Sequence, residues 1–63
     1  MGQARQLGSG PNPARQVAIQ AGCGEGAVAT TVNKACGSSL KAIDLARAAI
    51  LLDGQKVVVA GGM

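Results

Sequence analysis

The residues able to do chemistry gather in one stretch, Thr31 to Ala42, TVNKACGSSLKA. Cys36 is followed there by three small residues, Gly37, Ser38 and Ser39, and then by apolar residues at helical spacing. A β-branched run, Val28 to Val32, comes just before. That order predicts a strand giving way to a helix, with Cys36 at the junction. The first turn of a helix carries unpaired N–H groups and a partial positive charge. Such surroundings favour a thiolate. Gly37 removes a side chain, so a substrate can come close to the backbone. The backbone N–H of Cys36 can itself donate to an oxyanion forming beside the sulfur. A site of this kind suits acyl transfer through a thioester. The competing reading makes Cys36 a small buried hydrophobe among small packing residues, and the residues alone leave both open. The chain has no histidine, so neither reading finds a base for the thiol within it.

Other constellations are weaker. Gly22, Gly24 and Ala27 match G-x-G-x-x-A. A dinucleotide fingerprint must follow a strand and open a helix, whereas this one follows a helix and precedes a strand. Ser38 and Ser39 lack the histidine that a catalytic triad requires. Asp44 and Asp53 show no paired-carboxylate pattern. Two cysteines without histidine fall short of a structural zinc site, so no metal is expected. Cys23 reads as an incidental loop thiol. Free thiols in a reducing compartment are favoured over a disulfide, since nothing in MGQARQLGSG resembles an export signal.

The elements that must position Cys36 follow from pattern. Asn12 is a natural N-cap, Pro13 fits the first helical position and Gly22 closes the C-terminus. Ala14, Val17, Ala18 and Ala21 give this first helix a narrow apolar face. A second helix is predicted from about Cys36 to about Leu52, with Leu40, Ile43, Ala46 and Ile50 on its apolar side and an Asp44–Arg47 pair between. KVVVA, from Lys56 to Ala60, reads as a strand buried on both faces. The order strand, helix, strand predicts a parallel βαβ unit with a right-handed crossover.

Composition limits what this unit does alone. Apolar residues make up 48% of 63, none of them aromatic, so the core is small and low self-sufficiency is expected. The net charge of +3 is spread along the chain. There is neither the basic stripe nor the aromatic platform of a nucleic-acid binder, and no apolar run long enough to span a membrane.

The chain resembles a known family at three places. TVNKACGSSLKAIDLARAAI is similar to the nucleophile segment of the thiolases, usually V-N-K-x-C-G-S-G-L-K-A. GPNPARQVAIQAG is similar to the helix upstream, and VVVAGGM to the strand and glycine pair that follow. One departure is Ser39, where most thiolases have glycine. KACGSSL by itself also suits the related ketosynthases, while NPARQ and AGGM favour thiolase.

The resemblance implies a fold, an activity and partners. The fold would be α/β, a fragment of a layered αβαβα architecture in the order helix, strand, nucleophile helix, parallel strand. Residues 1–63 would form only part of an N-terminal domain, since Met1 and Met63 both fall inside family motifs. Cys36 would be the acyl-accepting nucleophile of an acetyl-CoA C-acetyltransferase, making or cleaving 3-ketoacyl-CoA by Claisen chemistry. Substrates would be acetyl-CoA and acyl-CoA, with no metal and no cofactor beyond coenzyme A thioesters. The activating histidine and a second cysteine would come from thiolase polypeptide beyond this chain. Partners would be that polypeptide and further copies in a homodimer or homotetramer, with the strand Val28–Val32 near the dimer contact. The expected compartment is the cytoplasm, with mitochondrion and peroxisome as alternatives. Two competing functions are a ketosynthase-like condensing enzyme and an inactive stand-alone fragment.

Overall fold

The computed structural model describes residues 1–63. It contains two helices, α1 (Pro13–Gln20) and α2 (Ser38–Asp53). Both expected helices therefore form, and the second starts two residues after Cys36 rather than at it.

Helix α1 is fixed at both ends by the residues that announce it. Asn12 takes the N-cap in a left-handed conformation, and its Oδ1 accepts from the Arg15 N–H at 3.4 Å. The Ala14 N–H donates to Thr31 Oγ1 at 3.0 Å, and the Thr31 hydroxyl donates to Asn12 Oδ1 at 2.6 Å. At the far end the Cys23 N–H reaches Ala18 O at 3.0 Å and the Gly22 N–H reaches Ile19 O at 3.1 Å. With Gly22 at φ 88° these two bonds make a Schellman motif. The Arg15 guanidinium donates to the carbonyls of Ala27 and Glu25, so α1 also holds the loop behind it.

The two predicted strands do not form as drawn. Three short stretches pair in parallel, with residues 1–3 in the middle. The Gln3 N–H donates to Val32 O and the Val32 N–H to Met1 O, both at 2.9 Å. On the other side the Gly2 N–H donates to Gly61 O at 2.7 Å and the Met63 N–H to Gly2 O at 3.1 Å. Val28–Val32 and Lys56–Ala60 therefore do not pair with each other, and each joins the ladder only at or beyond its C-terminal end. The physical reason is register. Parallel pairing runs back from Val32 and Gly62 toward Met1, and no residue of this chain lies opposite Val28 or Val57. Val28, Val57 and Val59 stand exposed, which corrects the reading of KVVVA as buried on both faces.

Burial is sparse. The buried residues are Pro13, Ala14 and Ala42, with Gly2, Gln3 and Ser38. Between the helices and the 57–62 stretch runs an open apolar groove of 1040 Å³. Ala14, Val17, Ala18 and Ala21 of α1 line it, as their spacing predicts. From α2 it takes Ala42, Leu45, Ala46 and Ala49, so of the expected face Leu40, Ile43, Ala46 and Ile50 only Ala46 lines it. Leu40, Ile43 and Leu51 face outward, while the small alanines of α2 permit the closer approach on its groove side. Asp44 pairs with Lys41 at 3.6 Å rather than with Arg47.

Candidate active site

Cys36 sits on a tight turn, Asn33 to Ser38, that leads into α2. The Asn33 side chain starts it. Its Oδ1 accepts from the Ala35 N–H at 3.0 Å, and its Nδ2 donates to Ala4 O at 3.0 Å. Asn33 thus makes an Asx turn and ties it to the N-terminal stretch. Ala35 then adopts φ 48°, a left-handed conformation. For a residue with a Cβ this costs on the order of 1–3 kcal/mol, so the surroundings must hold it. The Gly37 N–H donates to Lys34 O at 3.0 Å, and the Ser38 N–H to Ala35 O at 3.2 Å. Ser38 is buried, and its Oγ accepts from the Lys34 N–H at 2.9 Å and donates to Ala35 O at 2.7 Å.

Two glycines let α2 start this close to the paired stretches. A Cβ on Gly2 would overlap the Ser38 carbonyl and come within 2.5 Å of the Ser39 nitrogen. A Cβ on Gly62 would overlap the Ser39 hydroxyl and lie 3.0 Å from Gly2 O. The departing residue Ser39 is therefore packed against the Gly62 backbone, and its side chain is part of that contact.

The result is an exposed thiol beside open donors. Cys36 is exposed and free, as is Cys23. Within residues 1–63, then, Cys36 is not packed as a buried hydrophobe. The Cys36 N–H has no acceptor within the chain. Gly37 caps α2 without a side chain, and the first-turn N–H groups of Ser39 and Leu40 find no partner outside the helix. An exposed cysteine two residues before a helix N-terminus, with its own N–H unpaired, is equipped to attack a carbonyl and to hold the oxyanion that results.

The arrangement brings together less than a full catalytic set. Cys23 lines the apolar groove behind α1, and Cys36 does not. No group of three or more Cys, Asp or Glu converges as metal ligands would. No helix is long and apolar enough to cross a membrane. Four residues that shape the site escaped the reading of pattern. Asn33 carried a usable signal, an Asx-turn residue two positions before the left-handed one. Ser38 was readable only as a small residue. Gly2 and Gly62 gave no local signal, because their role comes from a helix packed across them.

The model of the thiolase N-terminal domain matches residues 1–63. Curated relatives agree. The acetyl-CoA acetyltransferase of Cupriavidus necator is 55% identical over 62 residues, covering 98% of this chain and 16% of that protein. The acetyl-CoA acetyltransferase of Pseudomonas aeruginosa is 53% identical over the same shares. A probable acetyl-CoA acyltransferase of Staphylococcus epidermidis is 49% identical over 63 residues, all of this chain and 16% of that protein. No solved structure gives a significant match. The chain belongs to the thiolase family, within its N-terminal domain, and so to an α/β fold. It spans 16% of the length of these relatives.

Proposed function

We propose that these residues are the nucleophile-bearing part of an acetyl-CoA C-acetyltransferase, with Cys36 as the acyl acceptor. The observation that carries this is the exposed Cys36 with its own N–H unpaired at the open start of α2. The sulfur attacks the thioester carbonyl of acyl-CoA, and the carbonyl oxygen gathers charge beside the Cys36 N–H. The carbon–sulfur bond to coenzyme A then breaks, leaving acyl-Cys36 and free coenzyme A, which takes up a proton. A second acetyl-CoA loses an α-proton and its carbanion attacks the acyl group, giving a 3-ketoacyl-CoA and restoring the thiol. Thiolysis is the reverse. The base for the thiol and the group that moves the α-proton are proposed to lie on polypeptide outside these residues, because the chain holds no histidine.

The rest of the reading has the same standing. A helix apolar on two sides suits a middle layer, and α2 with Leu40, Ile43 and Leu51 outward favours the αβαβα architecture. Residues 1–63 would then be one segment of a larger domain in a homodimer or homotetramer working in fatty acid metabolism in the cytoplasm.

The test is a graft. Residues 1–63 replace the matching segment of the Cupriavidus necator relative, and thiolysis of acetoacetyl-CoA is followed. The expected result is turnover in the graft and its loss in the Cys36→Ser version. Equal turnover with Cys36→Ser would overturn the assignment. The isolated chain is expected to show no turnover.

A further inference from the structure

We propose that Ser38 is a positioning residue that sets the direction of the Cys36 N–H, an inference that rests on Cys36 being the acyl acceptor. Ala35, the residue just before Cys36, occupies a left-handed conformation that an alanine does not hold unaided. One buried hydroxyl bridges the turn that contains it. Ser38 Oγ accepts from the Lys34 N–H and donates to Ala35 O, which also accepts from the Ser38 N–H, so the hydroxyl ties the Asn33–Lys34 peptide unit to the Ala35–Cys36 unit across the turn. The Ala35 carbonyl belongs to the peptide unit that carries the Cys36 N–H. Holding that oxygen toward Ser38 turns the N–H the opposite way, since the two lie antiparallel in a trans peptide. The N–H finds no acceptor in the chain. Gly2 lies directly against the Ser38 backbone, and Ser38 is buried.

A hydroxyl that aims an oxyanion donor is distinguishable from one that only packs. The thiol of Cys36 reacts with a thioester through an oxyanion, and with iodoacetamide by displacement of iodide at carbon, where no oxyanion develops. In the thioester reaction a bond forms between Cys36 Sγ and the acyl carbon, the bond to the departing sulfur breaks, and the thiol proton ends on the departing thiol. The ratio of acylation to alkylation at Cys36 therefore reports on the donor. Cys23, exposed and free in the same chain, supplies an internal reference.

The experiment measures both rates at both cysteines by peptide mass analysis, using S-acetyl-N-acetylcysteamine and iodoacetamide. The graft of residues 1–63 into the Cupriavidus necator relative is compared with its Ser38→Ala, Ala35→Gly and double variants. Removing an oxyanion donor outright costs about 10²–10³ in rate, so misdirecting one is expected to lower the ratio at Cys36 about five- to tenfold in Ser38→Ala. Ala35→Gly relieves the left-handed strain and is expected to restore much of that ratio in the double variant, while Cys23 stays unchanged throughout. An unaltered ratio in Ser38→Ala overturns the proposal, as does a loss that Ala35→Gly does not recover. If Cys36 in the unsubstituted graft acylates no faster than Cys23, the nucleophile assignment itself fails and takes the positioning role with it. Global unfolding by Ser38→Ala would lower the helical signal together with the ratio, and the double variant would then show the ratio recovered only if the turn is what Ser38 holds.

Discussion

The starts of the two helices are built in opposite ways. At α1 the first-turn donors are spoken for. Pro13 has no N–H, Ala14 bonds Thr31 Oγ1, and Arg15 and Gln16 reach Asn12. At α2 the cap is Gly37 with no side-chain bond, and the N–H groups of Cys36, Ser39 and Leu40 remain open. Capping a helix start is worth about 0.5–2 kcal/mol, so leaving one open gives up stability. The closed start fastens α1 to the stretch before Val32. The open start leaves positive potential beside the one exposed sulfur that a helix presents.

Substitutions can break or sharpen that contrast. The largest effect is expected at Gly2, where alanine would push a Cβ into the Ser38 and Ser39 backbone. Gly2→Ala should destabilise by about 1–3 kcal/mol, read as a lower urea midpoint, and should slow acylation of Cys36 as α2 is displaced. Unchanged midpoint and rate would mean that the close approach is not required. Asn12→Ala comes next. It removes a cap at the closed start and should cost about 1 kcal/mol, with the Cys36 to Cys23 acylation ratio unchanged. A fall in that ratio would show that the two helix starts are not independent. Gly37→Ser is the smallest and the most pointed. Gly37 has φ −93°, and a Cβ there meets only Lys34 O at 3.5 Å, so serine fits. Its hydroxyl would cap the open N–H groups and add a few tenths of a kcal/mol to the helix. Acylation of Cys36 should fall at the same time. Faster or equal acylation would argue that the open donors are not used.

How much of this could be read from the chain depended on how local the cause was. Asn12, Pro13 and Gly22 act within one turn of themselves, and α1 appears with the ends they predict. The same holds for Cys36 at the mouth of α2. The ladder was misread because its middle member is Met1–Gln3, which could be read as extended but not as the partner of two distant stretches. The inward face of α2 was misread because Leu40 and Ile43 outweigh Ala42 and Ala49 on any scale of hydrophobicity, while the groove admits the smaller residues. Ser38 and Gly2 matter through one contact between segments far apart in sequence, which no periodicity records.

The most direct test of the account is the acylation of Cys36 relative to Cys23 by acetyl-CoA, mapped by peptide mass in the graft of residues 1–63 into the Cupriavidus necator relative. Both thiols are exposed and free, and they differ in that one lies beside an open helix start and the other follows a closed helix end. The account predicts the acetyl group predominantly on Cys36. Equal labelling of the two, or a preference for Cys23, would contradict it.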